Sequence, residues 1–178
     1  HPIDDFVLVI SGDCRFSRTV NSLCHIIGKF GRRHNIKVIF ASHEEVGPKA
    51  GILSYFDEHG VSYELEPDIP TALRQADAVY MTRIQVERMS SPEFYEEVKG
   101  KFILDASHLD VLPKNAFIMH PLPIKTNGNG PAEIDAKLRR LARTGHPQVA
   151  FGRQSLRGVP TRYALLDSIL AGLQEIHN

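Results

Sequence analysis

Short apolar runs recur along the chain, separated by longer stretches in which apolar positions return every three or four residues. The runs predict strands at Phe6 to Ser11, Lys37 to Ala41, Ser62 to Leu65, Ala78 to Thr82 and Phe117 to Met119, because continuous β-branched and aromatic stretches of this length suit a buried strand. Between them, helical spacing predicts helices from Thr19 to Phe30, Lys49 to His59, around Thr71 to Gln75 and around Pro92 to Val98. Strands that alternate with helices need crossover connections. The pattern therefore predicts an α/β fold, a doubly wound parallel sheet with helices on both faces. Thr126 to Gly130 reads Thr-Asn-Gly-Asn-Gly and predicts a mobile loop, since Asn and Gly favour turn and left-handed conformations. Two or three helical segments are expected after it, at Glu133 to Ala142, about Pro147 to Leu156, and Arg162 to Ile176 with Pro160 just ahead of the last. That last segment sets Ala164, Leu165, Ile169, Leu170 and Leu173 on or near one face, so it needs a surface to pack against.

At 178 residues with 42% hydrophobic content, a single domain can bury an ordinary core. Lysine plus arginine balance aspartate plus glutamate at 21 each, so no global field attracts nucleic acid or an anionic membrane, and any anion must be caught by local charge placement. The two cysteines, Cys14 and Cys24, have neither metal-ligand nor disulfide-framework spacing, which suits a reduced, cytoplasmic setting. No apolar stretch approaches the roughly 20 residues of a membrane span. No dinucleotide fingerprint, phosphate-binding loop, nucleophile elbow or close His/Cys cluster occurs, so no cofactor or metal is expected.

Chemistry is concentrated where predicted strands end, the usual ligand-binding edge of an open parallel sheet. Gly12-Asp13-Cys14-Arg15-Phe16-Ser17-Arg18 follows the first strand, Thr82-Arg83-Ile84-Gln85-Val86-Glu87-Arg88 follows the fourth, and His120-Pro121-Leu122-Pro123 follows the fifth. Arg18 stands where the first helix begins, with Ser17 or Thr19 available as its cap. There the cation opposes the helix dipole unless an anion binds beside it. The simpler reading is an arginine paired with Asp13 or solvated. Arg83 and Glu87 could form an i,i+4 salt bridge; alternatively, Arg83 and Gln85 present planar donors to a carboxylate, a geometry lysine does not supply. His120 is a titratable group beside two rigidifying prolines, whose backbone could turn carbonyls toward a ligand.

Together, Gly12-Asp13 with Arg18-Thr19-Val20 and Ser22-Leu23, then Tyr80-Met81-Thr82-Arg83-Ile84-Gln85 with Glu87-Arg88, then Met119-His120-Pro121-Leu122-Pro123, resemble the second half of an aspartate carbamoyltransferase. Weaker echoes continue at Glu133-Ile134-Asp135, Arg153-Gln154 and Arg162 with Ala164-Leu165-Leu166. The ornithine enzymes share the fold but typically carry cysteine where Pro121 stands. The resemblance implies a single aspartate-binding domain over residues 1–178 with the carbamoyltransferase carboxyl-terminal fold. It implies transfer of a carbamoyl group from carbamoyl phosphate to L-aspartate, an early step of pyrimidine synthesis, and a homotrimer in the intact protein. By motif, Arg18 would hold the α-carboxylate of aspartate, and Arg83 with Gln85 its side-chain carboxylate. Leu122 and Pro123, joined by a cis peptide, would supply carbonyls near the amine. Arg15, His120 and Arg88 are accessory candidates.

The departures from the family are local and chemical. The carbamoyl-phosphate half, with its Ser-Thr-Arg-Thr loop, is not found in this chain, so that domain is expected as a partner in cis or in trans, and the chain alone is expected to be inactive. Ile124 stands where arginine usually follows His-Pro-Leu-Pro, Asn21 replaces a common histidine, and Phe16-Ser17 replace a more usual pair. An alternative reading is accordingly a carbamoyltransferase-like module that binds an amino acid or regulates without catalysing.

Overall fold

A computed structural model shows how these segments pack; the structure describes residues 3–85, 88, 91, 93, 100–125 and 132–176, the last five by backbone alone. Five strands, β1 (Val7–Ser11), β2 (Lys37–Ala41), β3 (Ser62–Leu65), β4 (Ala78–Met81) and β5 (Phe117–Met119), form one parallel sheet in the order β3-β2-β1-β4-β5. The chain winds outward from β1 through β2 to β3, then crosses back to β4 on the other side of β1. The winding direction therefore reverses between β1 and β4. A crevice opens there at the carboxyl ends of the two strands.

Side chains along the central strands alternate between two cores. Val9, Ile39, Val79, Met81 and Ile118 face one, beneath α3 (Ile69–Leu73) and α4 (Ala136–Arg143). Leu8, Ile10, Val38, Phe40 and Tyr80 face the other, covered by α1 (Arg18–Phe30) and α2 (Ala50–His59). Both faces are buried, which explains why the strands read as unbroken apolar runs. Helices α1 and α2 approach closely at Gly28, where a β-carbon would stand 2.0 Å from the Tyr55 ring. Local capping sets the helix starts: Ser17, Asp68 and Asp135 accept hydrogen bonds from the amides of Val20, Thr71 and Leu138.

The structure departs from the sequence-based expectations in two respects. The segments expected at 147–156 and 162–176 are parts of one helix, α5 (Phe151–Ile176), which runs through Pro160. A proline inside a helix forfeits one backbone hydrogen bond, yet the preceding and following turns continue the helical path. One-turn 3-10 helices at Arg32–His34, Glu44–Val46 and Ala106–Asp110 were not anticipated, being too short to set up a periodic pattern. The expected helix around 92–98 and the loop at 126–130 lie outside the described residues, as does Glu87 of the proposed pair with Arg83. Among the described residues no helix is long and apolar enough to cross a membrane.

Candidate functional site: a cleft at the sheet's crossover

The three strand-end loops meet at the crevice. Gly12, immediately after β1, has φ +94°, and a β-carbon there would fall 2.2 Å from the carbonyl oxygen of Thr82, so only glycine lets the first two loops come this close. Thr82 Oγ1 donates toward the carbonyls of Ser11 and Asp13, at 3.1 Å each. Asp13 itself is fully buried. Its Oδ1 accepts from the Phe16 amide at 2.8 Å and its Oδ2 from the Gln85 amide at 3.3 Å. One carboxylate thus ties the loop bearing Arg18 to the loop bearing Arg83 and Gln85. Burial pushes the Asp13 carboxyl above its ordinary range, against the pull of these amides and of the Arg88 charge.

Arg18, Arg83, Gln85 and Arg88 line a cleft of about 210 Å³ with His120, Leu122 and Pro123 on its third side. Arg18 is exposed and begins α1, where Ser17 rather than Thr19 supplies the helix cap. Three guanidinium groups, a side-chain amide and a helix start around one small cavity make a site for an anion with more than one acceptor group. The Leu122–Pro123 peptide is cis and Leu122 has φ +58°.

His120 lines the cleft with both ring nitrogens hydrogen-bonded. Its Nδ1 accepts from the Leu122 amide at 2.8 Å, so the ring proton sits on Nε2, which donates to Glu133 Oε1 at 3.0 Å. Both side chains are buried. Burial raises the Glu133 carboxyl, but the hydrogen bonds from His120 and the Lys125 amide outweigh it and hold the group below its ordinary value. The His120 amide is anchored on Gln154 Oε1 of α5 at 3.0 Å. The histidine therefore shapes the Pro121–Pro123 segment.

Of the residues singled out in the sequence, Arg18, Arg83, Gln85, Arg88, His120, Leu122 and Pro123 share this cleft. Arg15 does not; it lines a separate cleft beside the same loop. Ile124 packs against the apolar core instead of presenting a polar group. Sequence reasoning did not find Asp13 or Glu133 as organisers of the site, because their partners lie 72 and 13 residues away. The one usable signal, for Asp13 alone, was an acid between Gly12 and Cys14 at a strand end. Cys14 and Cys24 are buried, and burial pushes both thiols up, so neither supplies a thiolate nucleophile.

A doubly wound parallel sheet with an arginine-lined cleft at its crossover defines an α/β domain whose clustered donors suit a small anion. Its family follows from comparison: the model for the aspartate/ornithine carbamoyltransferase Asp/Orn binding domain matches residues 4–169, and the chain belongs to this family. It is 37% identical over 96% of its length to the chloroplastic aspartate carbamoyltransferase of Oryza sativa subsp. japonica, covering 43% of that protein. It is 32% identical over 94% of its length to the aspartate carbamoyltransferase catalytic subunit of Pyrobaculum islandicum, covering 50% of it. The catalytic subunit of M. jannaschii aspartate transcarbamoylase superposes with a TM-score of 0.77 at 30% identity, over 93% of this chain and 50% of that one. The Trypanosoma cruzi enzyme, solved with N-(phosphonacetyl)-L-aspartic acid, shares the fold with a TM-score of 0.75 at 22% identity, over 92% and 49% of the two chains. The chain spans half or less of the length of these relatives.

Proposed function

We propose that this chain is the aspartate-binding half of an aspartate carbamoyltransferase, which joins carbamoyl phosphate and L-aspartate to give N-carbamoyl-L-aspartate and phosphate in pyrimidine synthesis. The observation that carries the proposal is the joining of the Arg18 and Arg83–Gln85 loops by the buried Asp13 across one small cleft. Two cationic grips on one cavity suit a molecule with two carboxylates. In this reading Arg18 takes the α-carboxylate, Arg83 and Gln85 the side-chain carboxylate, and the backbone carbonyls at Leu122 and Pro123 accept from the amine, aiming its lone pair. No nucleophile of the protein is needed, because holding two reactants in line removes much of the barrier to such a transfer.

The second reactant belongs to a carbamoyl-phosphate domain, in cis or in trans, and α5 offers it a surface. Leu156, Val159, Tyr163, Leu166 and Leu170 recur at alternating three- and four-residue steps and are each at least 60% exposed. Such a seam is stable only when another apolar surface covers it. We place the intact protein in the cytoplasm as a homotrimer; the free, buried cysteines support a reducing compartment. A second reading, an amino-acid-binding or regulatory module without turnover, is favoured by Ile124, a half-buried apolar side chain that packs against the core and brings no charge to this loop.

Calorimetric titration of the chain with L-aspartate and with succinate tests the dicarboxylate site. Saturable binding of both that is lost in Arg18→Gln and in Arg83→Gln is the expected result. Affinity unchanged by either substitution removes the reading.

A further inference from the structure

A second cleft, of about 520 Å³, opens at the carboxyl ends of β2 and β3, away from the crossover. Its walls include Phe40, Leu53 and Leu65, and Ser42 and Arg15 contribute polar groups. The size falls within the usual range of small-molecule sites, and the mixture of apolar walls with few polar groups is characteristic of them. Arg15 Nε is buried and has no hydrogen-bond partner among the described residues. A buried donor left unpaired is destabilising, and a turn of this half-buried side chain that brings its guanidinium onto a carboxylate in the cleft would satisfy it. Glu44, exposed and also lining the cleft, opposes a second negative charge on any occupant.

We propose that this cleft binds a small monocarboxylate with an aromatic or branched apolar body, the carboxylate on Arg15 and the body against Phe40, Leu53 and Leu65. The site also reaches the loop that bears Arg18. The amides of Cys14 and Arg15 both donate to the carbonyl of Val46, at 2.8 and 3.0 Å, and Val46 closes the one-turn helix Glu44–Val46 at the cleft's edge. An occupant that clamps Arg15 therefore holds the Gly12–Arg18 loop from its own side.

Phenylacetate is the probe, followed by amide and methyl NMR shifts on the whole chain, with acetate, benzyl alcohol and phenyl phosphate as comparison ligands. Saturable shifts at Arg15, Leu53 and Leu65, extending to the Arg18 amide, are expected with phenylacetate. Acetate and benzyl alcohol should each bind at least about tenfold more weakly, since each lacks one of the two contributions. Phenyl phosphate should be weaker than phenylacetate because of Glu44. Arg15→Gln should weaken phenylacetate about tenfold or more, and Leu65→Ser, at an exposed side chain, should weaken it without disturbing the fold. No saturable shift at these residues, or equal binding to both variants and wild type, overturns the site. Shifts that stop short of Arg18 overturn its link to the loop. No dicarboxylate enters the assay, so failure of the aspartate reading would leave the result intact.

Discussion

At the scale of single residues, the cleft depends on donors whose geometry matters more than their charge. Arg83→Lys keeps the charge but loses the planar fork, so succinate or aspartate affinity should fall by about 1–3 kcal/mol in a calorimetric titration. Equal affinity would take Arg83 out of the site. Glu133 acts through His120 and the Lys125 amide, and Glu133→Ala leaves one buried and one half-buried donor without their acceptor. The expected loss in denaturant-monitored stability is about 1–3 kcal/mol at neutral pH. The pH dependence has a definite sign. The Glu133 carboxyl is held below its ordinary value in the folded chain, so its contribution is present above the unfolded value and is lost as pH falls through the folded one. The stability gap between wild type and Glu133→Gln should therefore shrink as pH drops from about 5 toward 3; a gap constant across that range would deny the charge any role. That Arg18, Arg83, Gln85 and Arg88 would share one cleft was legible in the sequence because their loops each follow an apolar strand. Asp13 and Glu133 were not, since a carboxylate's task depends on which distant amide folding brings to it.

At the scale of elements, β1, β2 and β4 were readable almost to the residue because both faces of a central parallel strand must be apolar, which leaves an unmistakable run, whereas the edge strand β3, Ser-Tyr-Glu-Leu, carries a weaker signal. The carboxyl-terminal helix was misread for an equally local reason. Pro160 follows Gly158 and Val159 and precedes a capping-competent Thr161, which matches the start of a new helix as well as the interior of an old one. Only the path of the chain decides between them, and α5 passes through. Replacing Pro160 by alanine should restore the backbone hydrogen bond to Leu156 and relieve crowding in that turn. Helical ellipticity should rise, and unfolding stability should increase by up to about 3 kcal/mol. A decrease in both would mean that α5 does not continue through this point in solution.

At the scale of the whole molecule, the proposed function gives this cleft one reactant, and the transfer needs two held together. The chain alone should therefore show no carbamoyl transfer from carbamoyl phosphate to L-aspartate. Adding a carbamoyl-phosphate domain from the family, in trans or fused ahead of His1, should restore it. The seam on α5 supplies a control that separates assembly from chemistry. Tyr163 and Leu166 are exposed in this chain, at 77% and 61%, so Tyr163→Lys with Leu166→Asp should leave the isolated domain's fold and dicarboxylate binding unchanged while abolishing the gain from the added domain. If the unmodified pair assembles yet stays silent, the fault lies in the site, and Ile124 is the first suspect because it puts an uncharged apolar side chain where relatives by resemblance carry arginine. Ile124→Arg should then bring activity back. Silence of that variant too, with dicarboxylate binding intact, would decide for the non-catalytic module, whereas transfer by the unassisted chain would refute the division of the site between two domains.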